Sequence, residues 1–248
     1  MSATIDILNP AQPKRVLLIA ANPAISALTG QAIGVWAAEL THSYYEFTEH
    51  GYQADIISPD GGKLEFDAYS DPRDESGYSA SDLISMGFIN TPRLMSLTEN
   101  TKSLDEVNPD QYDAVFVCGG QSPAYTFINN EKLHRFFANF YESGKISAVL
   151  CHGTCILLKT KLSNGKLLVE GKTWTGFANS EEQYADEVFG RRIQPFWIEE
   201  EAHKLPNTNY INAGRFKSFA VRDGNLITGQ QQYSGRATAK LVIEALGQ

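Results

Sequence analysis

Short, nearly continuous apolar runs, each broken by a glycine or turn residue and followed by a helical pattern, constrain this chain more than any other feature. Arg15-Val-Leu-Leu-Ile-Ala20, Gln53-Ala-Asp-Ile-Ile-Ser58, Asp113-Ala-Val-Phe-Val-Cys118 and Ile146-Ser-Ala-Val-Leu150 all have this character. Runs of this kind are strands covered on both faces. Between them, Ile33, Trp36, Ala37, Leu40, Tyr44 and Phe47 fall on one helical stripe closed by Gly51, and Leu133, Phe136, Phe137 and Phe140 on another within Glu131–Gly144. Phe219–Thr228 reads as a hairpin turning at Asp223-Gly224, and a last helix spans Ser234–Leu246. Strands alternating with helices imply an α/β fold, a three-layer sandwich with a mostly parallel central sheet flanked by helices. The 248 residues suit one domain. Residues 63–110 are polar and irregular, with a helix expected near Ala80–Met86, and read as an insertion or lid.

Charge narrows the partners. Twenty-one Lys and Arg against 29 Asp and Glu leave a net −8, which argues against binding nucleic acid or an anionic membrane. No apolar run is long enough to span a bilayer, and Met1–Pro13 lacks a secretory pattern. Three cysteines without framework spacing suggest free thiols and a cytoplasmic setting. No metal is expected, and no glycine-rich nucleotide motif points to a cofactor.

In open α/β sheets, ligands sit at the carboxyl ends of the strands. Two such ends carry candidate chemistry. Ile146–Leu150 runs straight into Cys151-His152-Gly153-Thr154, a strand-to-helix turn that projects Cys151 into a cleft like a nucleophile elbow. A helix start there would lower the thiol pKa and supply N–H donors to an oxyanion. The plainer alternative is a buried strand-end cysteine. Cys118 reads as core, and Cys155, a turn past Cys151, could pair with it in a disulfide or on a metal, although no second ligand pair at zinc spacing supports a metal. The second end, Gly119-Gly120-Gln121, offers backbone N–H groups to an oxyanion, or is a simple turn. Glu39 lies roughly 100° from the centre of its helix's apolar stripe, hence on the flank. It is either a solvated glutamate or a proton shuttle beside the cysteine. Glu181 and Glu182 open a further helix after Asn179 or Ser180 as cap, and one of them could orient His152 as a triad requires. His203, after Glu199-Glu200-Glu201, reads as part of a solvated charged face.

These residues match a known pattern. Gly34-Val-Trp-Ala-Ala-Glu39 with Phe47-Thr-Glu-His-Gly51, Ala148-Val-Leu-Cys-His-Gly153, Glu170-Gly-Lys-Thr-Trp-Thr-Gly-Phe177 and Asp223-Gly-Asn-Leu-Ile-Thr-Gly229 resemble the ThiJ/PfpI superfamily. Within it they resemble the branch of glyoxalase III enzymes and heat-shock chaperones. The resemblance implies a flavodoxin-like, class I glutamine amidotransferase-like fold and a homodimer. It places the nucleophile on Cys151, its histidine on His152, the helix glutamate on Glu39 and the third triad member on Glu182, with Glu181 as the adjacent alternative.

The activity implied is conversion of methylglyoxal to D-lactate without glutathione, with the Gly120 and His152 backbone region holding the oxyanion. The same parts serve an acyl-cysteine amidase or peptidase. A stress-protective holdase, a redox sensor and an idle relative are the other readings. The sequence departs from the pattern at Gln121, where many members of the branch carry His, at Thr154 in place of Pro, and at Gln230-Gln-Gln232 in place of Asn-Pro. All three positions are expected near the cysteine pocket.

Overall fold

The computed structural model describes residues 13–247. The Met1–Pro13 stretch read for a leader signal therefore lies, apart from Pro13, outside the described residues. In chain order the strands are β1 (Arg15–Ile19), β2 (Ala24–Ile25), β3 (Ala32–Ile33), β4 (Gln53–Ile57), β5 (Asp60–Gly62), β6 (Thr101–Ser103), β7 (Ala114–Val117), β8 (Ile146–Leu150), β9 (Thr173–Trp174), β10 (Asn209–Tyr210), β11 (Ala220–Asp223) and β12 (Leu226–Gly229). The helices are α1 (Ala37–Glu49), α2 (Leu83–Ile89), α3 (Pro92–Met95), α4 (Pro123–Thr126), α5 (Glu131–Glu142), α6 (Asn179–Phe189), α7 (Ile198–Ala202) and α8 (Gly235–Ala245).

Eight strands form one sheet in the order β11-β12-β8-β7-β1-β4-β6-β5. Its interior pairings are parallel, and only the outermost strands, β11 on β12 and β5 on β6, run antiparallel. Strands β1, β7 and β8 are buried almost throughout, as their continuous apolar character predicts. The connection from β1 steps to β4 on one side, whereas β7 steps to β8 on the other. Right-handed crossovers in opposite directions place α1 and α5 on opposite faces, and α8 packs against α1. The expected three-layer sandwich is present. Its chain reversal falls between β1 and β7, so the crevice lies above their carboxyl ends.

Three local expectations shift. The first helix begins at Ala37, not at Ile33, because Ile33 pairs in β3, Val35 bridges to Phe66 and the Asp67 carboxylate takes the Gly34 N–H at 2.8 Å. The helix expected over Ala80–Met86 starts at Leu83, where Asp82 caps it by accepting the Ser85 N–H at 3.1 Å. Residues 63–110 also do more than cover the scaffold, because β6 joins the main sheet between β4 and β5. Among the described residues no helix is long and apolar enough to cross a membrane.

Candidate active site

The site is built where β8 ends. Cys151 has φ 57°, left-handed backbone that a side chain seldom adopts, and the helix start expected there is present as a 3-10 helix, Cys151–Leu158. The Thr154 hydroxyl ties that turn down by donating to the Cys151 carbonyl at 2.6 Å. Gly153 lets the turn rest on β7, since a Cβ there would fall 2.8 Å from the Cys118 carbonyl oxygen. The backbone N–H groups of His152 and Gly120 both point at the Cys151 sulfur.

His152 is buried, with Nδ1 3.6 Å from Cys151 Sγ and Nε2 2.9 Å from Glu182 Oε1. Phe177 stacks on the imidazole, ring centres 4.2 Å apart. Burial alone would lower the His152 pKa, but the Glu182 carboxylate raises it. Burial pushes Glu182 up while His152 pulls it down. An imidazole held at Nε2 by a carboxylate presents Nδ1 to the thiol as a base.

Glu181 turns away from this chain of contacts. Its carboxylate accepts N–H groups from Ala178 at 2.9 Å and Phe216 at 2.8 Å, and the Gln230 amide at 2.8 Å. Of the two adjacent acids, Glu182 alone meets the imidazole. Neither Asn179 nor Ser180 caps α6: Ala178 occupies that position, and Glu181 reaches back to its N–H. Glu199, from the run before His203, accepts the Asn179 N–H at 2.6 Å, so that acidic run is partly structural.

Glu39 corrects the flank reading outright, since it is 0% exposed. Helix α1 is covered by the sheet, by α8 and by α2, so a position off its apolar stripe is still interior. One carboxyl oxygen accepts the Gly119 N–H at 2.7 Å, the other has no hydrogen-bond partner, and the carboxyl lies beside Cys151 across Gly119. Burial pushes Glu39 up to about 8, against the pull of Cys151 and of the Gly119 N–H. The expected low thiol pKa is also corrected. Burial and Glu39 push Cys151 up, with only the His152 and Gly120 N–H groups pulling against them. The imidazole nitrogen beside the thiol is His152 Nδ1.

The Gly119-Gly120-Gln121 turn divides its labour. Gly119 spends its N–H on Glu39 and Gln121 spends its own on Asp67 at 2.7 Å, so Gly120, φ 111°, is the member of the three whose N–H faces the sulfur. Asp67, missed from the sequence, is fully buried and pushed up to about 6 by burial. It bridges the Gly34 and Gln121 N–H groups and so fastens the start of α1 to this turn. Nothing in its polar neighbourhood in the sequence marks it out.

Above Cys151 and His152 lies a cavity of about 140 Å³ walled by aromatic side chains, including Trp36, Tyr69, Tyr78, Tyr184 and Phe216. Gln121 and Gln232 line it. Gln230 does not: it is buried behind Glu181, with its amide on Glu181 and on the Gly214 carbonyl oxygen. Thr154 sits behind Cys151, with its hydroxyl on the Cys151 carbonyl oxygen. Of the three departures from the family pattern, Gln121 and the Gln232 end of the Gln230–Gln232 run therefore reach the cavity, and Thr154 does not. Cys118 and Cys155 are free, buried thiols in the core. Among the described residues no group of three or more His, Cys, Asp or Glu side chains could hold a metal ion.

Known proteins share this arrangement of chain. The glutathione-independent glyoxalase HSP31 of Saccharomyces cerevisiae is 27% identical over 239 residues, covering 94% of this chain and 98% of its own. Glyoxalase 3 of Candida albicans is 25% identical over 87% of this chain and 91% of its own. Among solved structures, the Francisella tularensis Rapid Encystment Protein 24 KDa superimposes with a TM-score of 0.83 at 27% identity, covering 95% of this chain and all of its own. Glyoxalase III from Candida albicans superimposes with a TM-score of 0.77 at 25% identity, covering 94% and 97%. The family model described as DJ-1/PfpI matches residues 31–245, a span that takes in every site residue from Glu39 to Gln232. The ThiJ/PfpI resemblance thus holds across the whole site, and the chain belongs to the DJ-1/PfpI family.

Proposed function

We propose that this protein is a glyoxalase III-type enzyme that converts methylglyoxal to D-lactate without glutathione. The observation that carries the reading is Glu39. A fully buried carboxyl beside the Cys151 thiol, pushed up to about 8 by burial, is a proton carrier poised near working pH. Simple acyl transfer needs only the cysteine, the histidine and its carboxylate. Moving a proton between neighbouring carbons needs a further acid–base group beside the sulfur.

The steps follow from the geometry. His152 Nδ1 takes the Cys151 proton, and Glu182 steadies the imidazolium. The sulfur bonds to the aldehyde carbon, and the resulting oxyanion faces the Gly120 and His152 N–H groups before His152 returns the proton to it. Glu39, as carboxylate, removes the hydrogen from the former aldehyde carbon while the ketone oxygen is protonated, giving an enediol. It then delivers that proton to the second carbon as the first oxygen loses its own, which leaves a lactoyl thioester. Water cleaves the carbon–sulfur bond, and the thiol is restored.

The small cavity suits a substrate of few heavy atoms, since drug-sized ligands fill pockets of about 300–1,000 Å³. Tyr69 and Tyr78 bring the 63–110 segment onto its wall, which gives that segment the part of a lid. A homodimer and a cytoplasmic setting belong to the same proposal. The test is D-lactate formation from methylglyoxal without thiol cofactor by wild type, Cys151→Ala and Glu39→Gln. Loss of turnover by at least about 100-fold in both variants is expected. No lactate from the wild type, with Cys151-dependent release of an acyl group from esters or amides, would overturn the reading in favour of a hydrolase.

A further inference from the structure

Gln194 stands on the wall of the same cavity as Cys151 and His152, in the connection between α6 and α7. It is 0% exposed, and neither its Oε1 nor its Nε2 has a hydrogen-bond partner. Native interiors rarely leave a buried amide wholly unpaired. The chain around it is nonetheless held firmly. The Ile193 N–H donates to Asp186 at 2.9 Å, the Tyr125 hydroxyl donates to the Ile193 carbonyl at 3.3 Å, and Arg192 Nε donates to the Gln194 carbonyl at 3.0 Å. The backbone thus fixes an amide that the protein itself leaves unsatisfied, on a wall otherwise made largely of Phe177, Tyr184, Val188, Phe189 and Ile193.

We infer that Gln194 is a specificity residue that reads a substrate group able to donate and to accept a hydrogen bond. This inference rests on the reading of a 2-oxoaldehyde substrate and sharpens it: the preferred substrate carries a hydroxyl beyond its two carbonyls. Methylglyoxal offers acceptors and a methyl group, so it can occupy Nε2 but leaves Oε1 unpaired. A hydroxyl on that methyl carbon supplies the missing donor. A site built around an unpaired polar group discriminates against the analogue that lacks the matching group.

The test compares hydroxypyruvaldehyde with methylglyoxal, using the full-length protein and Gln194→Met, which keeps side-chain length and removes both polar atoms. The wild type is expected to favour the hydroxylated aldehyde by about tenfold in kcat/KM, the worth of one neutral hydrogen bond. In Gln194→Met that ratio should fall to about one, with a raised Tm because an unpaired buried amide is gone. A wild-type ratio of one or below, a ratio unchanged in the variant, or a lowered Tm would overturn the inference.

A second readout separates this from the turnover reading. Each aldehyde is tested for slowing the alkylation of Cys151 by iodoacetamide. Protection at about tenfold lower concentration by the hydroxylated aldehyde, lost in Gln194→Met, supports the inference even where no lactate forms, and then only the proposed reaction fails. Equal protection by the two aldehydes, or none by either, overturns it.

Discussion

A single methyl group at Gly119 would separate the proposed nucleophile, Cys151, from its proposed proton carrier, Glu39. A Cβ at this position falls 2.7 Å from Glu39 Oε2, 2.8 Å from Cys151 Cβ and 2.8 Å from the Leu150 carbonyl oxygen. Ordinary contact begins near 3.4 Å, so these atoms must retreat by about 0.6–0.7 Å (3.4 − 2.8 and 3.4 − 2.7). The Leu150 carbonyl belongs to an interior strand and Cys151 to a tied-down turn, so the Glu39 carboxyl has to yield and loses its 2.7 Å bond from the Gly119 N–H. Overpacking of this kind costs about 1–3 kcal/mol. For a chain of this size that lowers Tm by about 2–12 °C. A displacement approaching 1 Å at reacting groups reduces turnover by about 100-fold.

Gly119→Ala is therefore expected to lose about 30–100-fold in kcat/KM while staying folded. Gly87→Ala is the matched control. Gly87 lies in α2 with nothing within 4 Å of an added Cβ, so it should gain about 0.5–1 kcal/mol and keep full activity. Lactate formation and thermal unfolding of both variants decide the matter. Gly119→Ala within threefold of wild-type activity, with unchanged Tm, would refute the claim that catalysis depends on the close approach of Glu39 to Cys151.

Two further predictions concern stability. Burial raises the Glu39 carboxyl from an ordinary 4.5 to about 8, so the native state holds this proton more tightly than the unfolded chain does. The stability linked to it is full below about pH 4.5 and is lost as pH rises towards 8. Glu39→Gln, which cannot ionise, should gain in Tm over the wild type by a margin that widens from pH 5 to pH 8, and a constant margin would refute the buried, protonated carboxyl. At Cys151, φ 57° penalises any side chain by about 1–2 kcal/mol, so Cys151→Gly should be more stable than Cys151→Ala, the reverse of their usual order. Equal or inverted Tm values would show that the turn carries no such strain.

What the sequence announces here is what repeats along it. Strands β1, β7 and β8 are legible because burial on both faces demands unbroken apolar runs, and Cys151 is legible because it ends one of them. The flank position that periodicity gives Glu39 fails because helical periodicity describes one helix against one surface, whereas α1 is enclosed by several elements. The choice between Glu181 and Glu182 turns on about 100° of rotation around α6, a difference that only placement relative to His152 can resolve. Asp67 and Gln194 carry no local signal at all. Their importance comes from which backbone groups and cavity walls the distant chain brings to them, and β6 likewise exists only through its neighbours in the sheet.

The strand that presents Cys151 is held on one flank by β7 and on the other by β12, where Ser147 stands opposite Leu226, 79 positions further on. Closing so long a loop is slow compared with forming the neighbouring β7–β8 unit. Until it closes, β8 is an open edge with unpaired backbone groups, and the turn at Cys151 has no fixed seat. In refolding, recovery of Cys151 thiol reactivity should therefore trail recovery of secondary structure, because the turn that seats Cys151 is assembled late, by a pairing far away along the chain.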